Sequence, residues 1–593
     1  MIARTVPRPE RAAMNPNPTT SRRTFLGRTA ALTLAAALAP DLLRAQAEEE
    51  AADEAIAAEV IRRAEILAGL EFTDAERELM RESVTDQVES LQTIRALAIP
   101  NEVPPALGFR PLYNDPEKVS YVSGSAKNRA QDPAETLRGA IFGDRPRTPP
   151  TDEIELLFSP IEHLSEWIRR RQLKPSDLVE ASLARLVELD PTLHFVIDRT
   201  ADRAREFAAV LDEEQRVGKW RGPLHGIPYG AKDLLAARGA RTTWGAKPYE
   251  TRTFDDDAEV VRRLEEAGAV LVAKTAVGAL AWGDVWFRET TRNPWNPEQG
   301  SSGSSAGSAS AVAAGALPFA LGTETLGSIV SPCSRCGATG LRPTFGRVPR
   351  TGCMALTWSM DKIGPIARNV QDTAFVLEAI HGAHEGDPES VTAPLDWRGT
   401  SDFSMRKLRF GAAEENFAND YEGATFDRAT LDVLRDRGIE FEPMTFPEMP
   451  VGAMLVVLQV EGAAAFDELT RTDRDDELVR QVVNAWPNVF RAAQLVPGVQ
   501  YVQAQRARTQ LMRAFEDALG DLDGYVAPAF AGPSLLITNL TGHPCVVLPN
   551  GFREDGTPTS ITFIGRNYGE PAIVALASIY QGATDFHLKR PRL

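Results

Sequence analysis

A helix-then-strand unit in the middle of the chain sets the strongest limit on the fold. The segment from Glu259 to Gly268 is typical of a helix, and it ends at a glycine, as many helices do. The run Val270-Leu271-Val272-Ala273 follows directly, and its apolar character is typical of a β-strand. Units of this kind belong to α/β sheets, so we expect an α/β protein.

Further helices and strands are predicted on both sides of this unit. Ser159-Pro160 begins one helix, with Pro at its first position, and Ser176 begins another. Near the C-terminus, Cys545 to Leu548 and Ile561 to Ile564 have the character of strands. The stretch 385–520 carries many charges and is mainly helical in pattern.

Residues 1–47 are predicted to be an export signal that takes no part in the fold. A basic start is followed by Thr29 to Ala39, an apolar stretch shorter than the ~20 residues that span a bilayer. Ala45-Gln46-Ala47 fits the A-x-A rule for signal cleavage, and Ser21 to Leu26 (S-R-R-T-F-L) resembles the twin-arginine motif. We therefore expect a periplasmic or secreted bacterial protein, whose mature chain, 48–593, has no stable membrane insertion.

The mature chain is expected to begin with a helical N-terminal extension and connector, 48–150. Thr73 and Glu76 have the spacing of a capping box at the start of a helix. From 101 onward the chain is rich in Pro, Gly and charge, which indicates an extended connector over the main body. An earlier helix is indicated by four apolar residues that share one helix face: Ile56, Val60, Ala64 and Leu67.

Charge and cysteine content exclude some classes of protein. The formal net charge of −17 repels a polyanion, and no run of Lys or Arg in the body opposes it, so we expect no nucleic-acid partner. Four cysteines are too few for a disulfide scaffold in 593 residues. Cys333 and Cys336 form a C-x-x-C pair, but no second pair completes a zinc site. We expect small core residues here, or a disulfide if the protein is exported.

Lys232 lies in an apolar, turn-rich segment, 222–233 (G-P-L-H-G-I-P-Y-G-A-K-D). Burial disfavours the charged form of a lysine and lowers its pKa, which is how a lysine becomes a general base. On this segment alone, a surface lysine at a strand end is the more ordinary interpretation. His225, in the same segment, is interpreted as a histidine that packs within a loop.

Two segments rich in glycine follow Lys232 along the chain. The first, 300–308 (G-S-S-G-S-S-A-G-S), is a flexible linker if taken alone. It leads, however, into Ala309 to Ala316, a predicted buried helix whose N-terminus presents N–H groups to negative charge. The second, 322–330 (G-T-E-T-L-G-S-I-V), surrounds Ser328 with glycines that let the backbone approach a substrate and aim N–H groups at an oxyanion.

One interpretation of the first segment is the nucleophile elbow of an α/β-hydrolase. Gly303 to Gly307 (G-S-S-A-G) matches G-x-S-x-G, which would make Ser305 the nucleophile of an esterase. An elbow follows a hydrophobic strand, whereas 293–299 (N-P-W-N-P-E-Q) is predicted to be a loop. The base would be a histidine further along the chain: His381, His384, His543 or His587.

Together, these three ordered segments resemble the amidase signature family. The similarity covers about 155–593 and extends to several further stretches: N-P-W-N-P at 293–297, G-L-R-P-T-F-G-R at 340–347, D-K-I-G-P-I-A-R at 361–368, and Asn539, Gly542, Pro544, Pro549 and Gly551. The resemblance implies a large mixed central β-sheet covered by helices on both faces over 151–593. Its catalytic core would lie at about 220–370.

The resemblance also implies an amidase with a Ser–cis-Ser–Lys triad. The family's lysine falls on Lys232 and its nucleophile on Ser328. Its middle serine opens a Ser pair 24 residues before the nucleophile, which selects Ser304 over Ser301. The implied reaction is hydrolysis of the C–N bond of a small-molecule amide through a serine acyl-enzyme, without a metal or an organic cofactor.

The same resemblance assigns the oxyanion hole to backbone N–H groups. It also shows two positions at which this chain departs from the family's pattern. The groups are those of Thr325, Leu326, Gly327 and Ser328. The family commonly has glycine at Leu326, where leucine would be strained if φ were positive, and often has arginine at Val330.

Two other hypotheses remain: a catalytically impaired binding protein on this fold, and the ammonia-supplying subunit of a tRNA-dependent amidotransferase. An export signal contradicts the second.

Overall fold

An eleven-stranded β-sheet forms the centre of the protein in a computed structural model, which describes residues 56–109, 148–398 and 408–593. Its strands are β1 (Val196–Arg199), β2 (Pro228–Lys232), β3 (Val270–Thr275), β6 (Phe319–Glu324), β7 (Thr339–Arg342), β8 (Lys362–Ala367), β9 (Phe410–Ala412), β10 (Phe441–Pro443), β11 (Gly524–Pro528), β12 (Cys545–Phe552) and β13 (Pro558–Gly565). Two more strands, β4 (Arg292–Asn293) and β5 (Asn296–Gly300), form a separate hairpin.

The direction of the strands makes this a mixed sheet. The strand order is β1-β3-β2-β6-β8-β7-β12-β13-β11-β9-β10. β2 lies parallel to its neighbours β3 and β6, whereas the run from β6 through β8, β7, β12 and β13 alternates in direction. The mixed sheet implied by the sequence is therefore confirmed.

Both faces of the sheet's centre are covered. Every residue of β2, β3, β6, β8 and β13 is buried. Because successive side chains of a strand point to opposite faces, uniform burial requires packing on each side. The α-helices of the described chain are α1 (Ala58–Ala68), α2 (Asp74–Ala96), α3 (Glu153–Leu157), α4 (Ile161–Arg169), α5 (Pro175–Leu193), α6 (Ala201–Arg216), α7 (Glu259–Glu266), α8 (Ala306–Ala313), α9 (Val330–Cys336), α10 (Val370–Ile380), α11 (Glu414–Ala418), α12 (Ala424–Asp436), α13 (Val456–Ala465), α14 (Asp467–Arg471), α15 (Trp486–Ala493), α16 (Gly498–Leu519), α17 (Ser534–Thr541) and α18 (Glu570–Ala583).

The helix-then-strand unit predicted from the sequence is α7 followed by β3. Gly268 lies just after α7 with φ of 88°, a backbone conformation that glycine adopts without strain. The backbone N–H of Ala269 then donates to Leu264 at 2.8 Å, which turns the chain back towards the sheet. All six residues of β3 are buried.

The N-terminal extension is helical where the structure describes it. Thr73 caps α2 as predicted: its hydroxyl accepts from the Glu76 N–H, and the Glu76 carboxylate accepts from the Thr73 N–H. Residues 98–109 then run along α16, where the Arg506 guanidinium donates to the Val103 carbonyl at 2.8 Å. The export signal and the connector beyond 109, up to 147, lie outside the described residues.

The buried side of α1 differs from the predicted face. Val60 and Leu67 are 55% and 93% exposed, whereas Ile61 and Glu65 are buried. The reason is a partner on α2, where Arg77 donates to the Glu65 carboxylate at 2.8 Å. A count of apolar residues overlooks a buried ion pair of this kind.

The loop predicted at 293–299 is wrong in detail, because these residues form most of the β4–β5 hairpin. The hairpin is not part of the central sheet. Within the described part of the chain, no helix is long and apolar enough to cross a membrane.

Candidate active site

Lys232 is the last residue of β2, an interior strand of the central sheet. Its side chain is fully buried. The amine is 2.8 Å from the Ser304 hydroxyl, 3.0 Å from the Ser305 hydroxyl and 2.8 Å from the Thr323 hydroxyl. The structure therefore brings two of the sequence-predicted site residues, Lys232 and Ser304, into direct contact.

The surroundings of Lys232 favour a neutral amine. Burial lowers the pKa of Lys232 to about 7, against the weaker opposing fields of Cys353, Asp361 and Glu324. Among the described residues no carboxylate forms an ion pair with this amine, and its neighbours are hydroxyl groups and a carbonyl. An amine that is partly deprotonated near neutral pH can accept a proton, as a general base must.

Ser304 is held by a loop in which Gly303 is packed too tightly to carry a side chain. The Gly303–Ser304 peptide bond is cis. A Cβ on Gly303 would lie 1.9 Å from the Gly283 carbonyl oxygen, so only glycine fits there. Ser302, with φ of 59°, donates its N–H to the Asp284 carboxylate at 2.8 Å. Backbone contacts of this kind fix the Ser304 hydroxyl beside Lys232.

The Ser305 hydroxyl is tied to the sheet. It donates to the Thr323 carbonyl and accepts from the Thr323 N–H, both at 3.1 Å. Within the described part of the chain no histidine hydrogen-bonds to Ser305; His543, for example, contacts Thr541 and Glu516. This geometry disfavours Ser305 as the nucleophile of an elbow.

Ser328 lies in the loop between β6 and α9. The residue is 7% exposed, and its carbonyl accepts from the Ser305 N–H at 3.1 Å, which joins the two serine segments. The residue with positive φ is Gly327, at 79°, and not Leu326, so leucine is unstrained here.

The backbone N–H groups around Ser328 fall into two sets. Those of the predicted oxyanion hole, Thr325 to Ser328, donate to no other group among the described residues. The next two, of Ile329 and Val330, both donate to the Glu324 carboxylate, at 2.8 and 3.0 Å. The free set is available to a negatively charged oxygen.

Glu324 is the anchor of this loop. It is fully buried, and its other carboxylate oxygen accepts from the Arg342 guanidinium at 2.6 Å and from the Asn539 amide at 2.8 Å. Burial opposes its ionisation, but Arg342 and Lys362 outweigh burial and lower the pKa of Glu324 to about 2. The carboxylate therefore stays charged and holds the start of α9 against the end of β6.

Asp361 supports the other end of the loop. Its carboxylate accepts from the Thr325 hydroxyl at 2.5 Å. The same group accepts from the N–H groups of Leu356 and Thr357, at 2.8 and 3.0 Å. Glu324 and Asp361 thus hold the predicted oxyanion loop from two sides.

Glu324 and Asp361 both lie in motifs noted in the sequence, but the sequence indicated no role for either of them. Glu324 stands four residues before Ser328, and Asp361 opens the D-K-I-G-P stretch. An acid at a fixed short distance from a glycine-flanked serine is the signal that could have indicated Glu324. Nothing local could have indicated its distant partners, Arg342 and Asn539.

The cysteines behind the loop are core residues. All four cysteines are free, and Cys333 and Cys336 are fully buried on α9. Burial raises the pKa of both thiols. The disulfide considered from the sequence is therefore not formed in this structure. In the part of the chain described, no three His, Cys, Asp or Glu side chains group to hold a metal ion.

Comparisons with known proteins agree with this fold. The family model described as Amidase matches residues 177–539. The A subunit of glutamyl-tRNA(Gln) amidotransferase from Roseiflexus sp. (strain RS-1) is 33% identical over 478 residues, covering 72% of this chain and 97% of that protein. The corresponding protein of Shouchella clausii (strain KSM-K16) is 33% identical over 479 residues, with coverages of 72% and 98%.

A solved structure of an amidase has a similar fold. The native peptide amidase of Stenotrophomonas maltophilia superposes with a TM-score of 0.64 at 30% identity, covering 71% of this chain and 96% of that one. Fold and relatives together define an enzyme that acts on amide C–N bonds. The chain belongs to the amidase family.

Proposed function

We propose that this protein hydrolyses a small-molecule amide through an acyl-enzyme on Ser328, with Ser304 and Lys232 moving the proton. The observation that carries the proposal is the 2.8 Å hydrogen bond between the buried Lys232 amine and the Ser304 hydroxyl. Burial lowers the pKa of Lys232 to about 7, so the amine can take up a proton at neutral pH.

The first half of the reaction forms the acyl-enzyme. Neutral Lys232 accepts the Ser304 proton, and Ser304 accepts the proton of Ser328 as the Ser328 oxygen attacks the amide carbon. The N–H groups from Thr325 to Ser328 receive the negative charge that develops on the carbonyl oxygen. When the C–N bond breaks, Ser304 donates a proton to the leaving nitrogen and recovers one from the Lys232 ammonium.

The second half returns the enzyme to its starting state. Water attacks the Ser328 ester, and its proton passes through Ser304 to Lys232. The ester C–O bond then breaks, and the proton returns to the Ser328 oxygen. The products are a carboxylic acid and an amine or ammonia, so the reaction consumes one water and no other reactant.

The names of the relatives narrow the substrate class. One relative is a peptide amidase, and others belong to an amidotransferase that is named for glutamyl-tRNA(Gln). The net charge of −17 repels nucleic acid, which favours a small amide over a tRNA-linked role for this chain. Purified protein that released ammonia from glutamine only in the presence of an added partner protein would favour the amidotransferase role.

Labelling with a fluorescent fluorophosphonate tests the nucleophile. We expect residues 48–593 to be labelled, Ser328→Ala to lose the label and Ser305→Ala to keep it. Loss of the label in Ser305→Ala alone would favour the esterase interpretation. An unlabelled wild type that nevertheless bound amides would favour a catalytically impaired binding protein.

Export by the twin-arginine pathway is a second part of the proposal. It rests on the sequence Ser21 to Leu26 and on the cleavage site Ala45-Gln46-Ala47. We expect the chain recovered from the periplasm to begin at Glu48, and Arg22→Lys together with Arg23→Lys to leave it in the cytoplasm. A chain of full length in the cytoplasm of unmodified cells would contradict export.

A further inference from the structure

Arg508, on α16, is a buried cation that the reaction described above does not use. It is fully buried. Its guanidinium donates to the Ser359 carbonyl at 2.8 Å, to the Ser359 hydroxyl at 2.7 Å and to the Leu540 carbonyl at 2.6 Å. One side chain therefore joins α16 to two segments that are far apart in the sequence.

Both of these segments support the loop that carries Ser328. Ser359 lies in the turn that ends at Asp361, whose carboxylate accepts from the Thr325 hydroxyl. Leu540 follows Asn539, whose amide donates to the Glu324 carboxylate at 2.8 Å. Arg508 thus connects the supports at the two ends of the loop.

The N-terminal extension covers the face of this guanidinium. The Phe109 ring centroid is 3.9 Å from Cζ of Arg508, a cation–π distance, and Phe109 is 1% exposed. Phe109 also meets Phe345 edge-on, with ring centroids 4.9 Å apart. Phe109 therefore separates Arg508 from water.

The chain that leads to Phe109 is fixed to α16. The Ala106 N–H donates to the Gln505 carbonyl at 3.2 Å, and the Thr509 hydroxyl donates to the Pro104 carbonyl at 2.8 Å. These residues, 104–109, lie outside the part of the chain that matches the amidase family model, 177–539.

We propose that Arg508 is a positioning residue for Ser328, and that Phe109 of the N-terminal extension holds Arg508 in place. The proposal rests on the function proposed above and adds a role for residues outside the family match. Arg508 touches no reacting atom; it acts through Ser359 and Leu540. A misplacement of about 1 Å at a reacting group costs on the order of 100-fold in rate.

The electrostatic setting explains why the aromatic cover matters. Arg508 donates to carbonyl and hydroxyl groups and to no carboxylate among the described residues. Burial lowers the pKa of Arg508 to about 10, although Glu461, Tyr501 and Glu389 act in the opposite direction. Without Phe109, water would reach the guanidinium and compete for Ser359.

The test compares two matched substitutions in the full mature chain. Phe109→Leu removes the ring over Arg508, whereas Phe72→Leu makes the same change at another buried phenylalanine of the extension, in the cluster between α1 and α2. We expect Phe109→Leu to lower kcat ~10-fold to ~100-fold with KM unchanged. The rate of fluorophosphonate labelling should fall in parallel, and Phe72→Leu should change neither.

Arg508→Lys is the second variant, because lysine keeps the charge but cannot bond Ser359 and Leu540 together. We expect it to match Phe109→Leu in kcat. Hydrogen exchange of Ile329 and Val330, whose N–H groups are bonded to Glu324, should be faster in both variants and unchanged in Phe72→Leu.

The outcomes separate the two proposals. Normal kcat and unchanged exchange in Phe109→Leu and Arg508→Lys would overturn the positioning role, as would equal losses in Phe72→Leu. A wild type that hydrolyses no amide and takes no label would overturn the proposed function instead. Hydrogen exchange at the loop would still decide on the positioning role in that case.

Discussion

Two buried lysines on neighbouring strands have opposite surroundings. Lys232 ends β2, Lys274 lies on β3, and both are fully buried. The Lys274 amine donates to the Asp233 carboxylate at 2.8 Å and to the Thr242 hydroxyl at 2.7 Å. The Lys232 amine contacts only hydroxyl groups and a carbonyl among the described residues, and one of these hydroxyls belongs to Ser304.

Burial alone does not make a lysine a base. Burial lowers the pKa of both amines, but at Lys274 the adjacent Asp233 carboxylate acts against this and favours the ammonium form. At Lys232 no carboxylate of the described chain is in contact, and burial lowers the pKa to about 7. The contrast favours a structural ion pair at Lys274 and, under the proposed function, proton transfer at Lys232.

Removal of the proposed base should have the largest effect. We expect Lys232→Met to lower kcat/KM on the order of 1,000-fold or more, because the side chain that accepts the proton is gone. The fold should survive and its melting temperature rise. Folding lowers the pKa of Lys232 from 10.5 to about 7, so burying the ammonium form destabilises the folded protein. This destabilisation is complete below pH 7 and disappears as the pH rises to 10.5.

Steady-state kinetics and thermal unfolding at pH 7 measure both effects. A Lys232→Met enzyme with near-native kcat/KM would contradict a catalytic role for Lys232, because the two lysines would then both be structural.

The matching change at the second lysine should act on stability. Lys274→Met leaves the Asp233 carboxylate buried without a cation, which costs about 3–5 kcal/mol in the free energy of unfolding. Replacing both partners, with Lys274→Met and Asp233→Asn, should recover most of that loss. Denaturant unfolding of the single and double variants measures this, and an unchanged single variant would contradict the ion-pair assignment.

The smallest effect is expected at Ser305, the other hydroxyl beside Lys232. Its hydrogen bonds to Thr323 hold two chain segments together, so Ser305→Ala should cost about 1 kcal/mol of stability. We expect kcat to stay within about 10-fold of the wild type, since the Ser304 route remains. Kinetics on an amide substrate check this, and loss of all activity would reopen the elbow interpretation.

Local rules in the sequence were enough to predict much of the fold. A glycine-terminated helix followed by an apolar run indicated α7 and β3, and the Thr73–Glu76 spacing indicated the cap of α2. The apolar residues noted on α1 do not mark the face that it buries, because burial there also depends on Arg77 of another helix pairing with Glu65. Periodicity of apolar residues carries no information about such a partner.

The candidate site, like the fold, could be predicted from the sequence only in part. The resemblance to the amidase signature family indicated Lys232 and Ser304, which the structure brings within 2.8 Å of each other. It did not indicate why the Ser328 loop holds its shape, because the amide that bonds Glu324 belongs to Asn539, 215 residues away. Which distant strands and helices become neighbours is set by the strand order of the sheet, and no short segment specifies it.

The pH dependence of Ser328 labelling by a fluorophosphonate, measured as a second-order rate constant from pH 5 to 9, tests whether Lys232 is the base. Because only the neutral Lys232 amine can accept the proton, we expect the rate to rise about tenfold per pH unit and to level off above an inflection near the pKa of about 7. Lys274→Met should keep an inflection of this kind, whereas Lys232→Met should lose it. A wild-type rate that does not change with pH, or an inflection that persists in Lys232→Met, would contradict the assignment of Lys232 as the base.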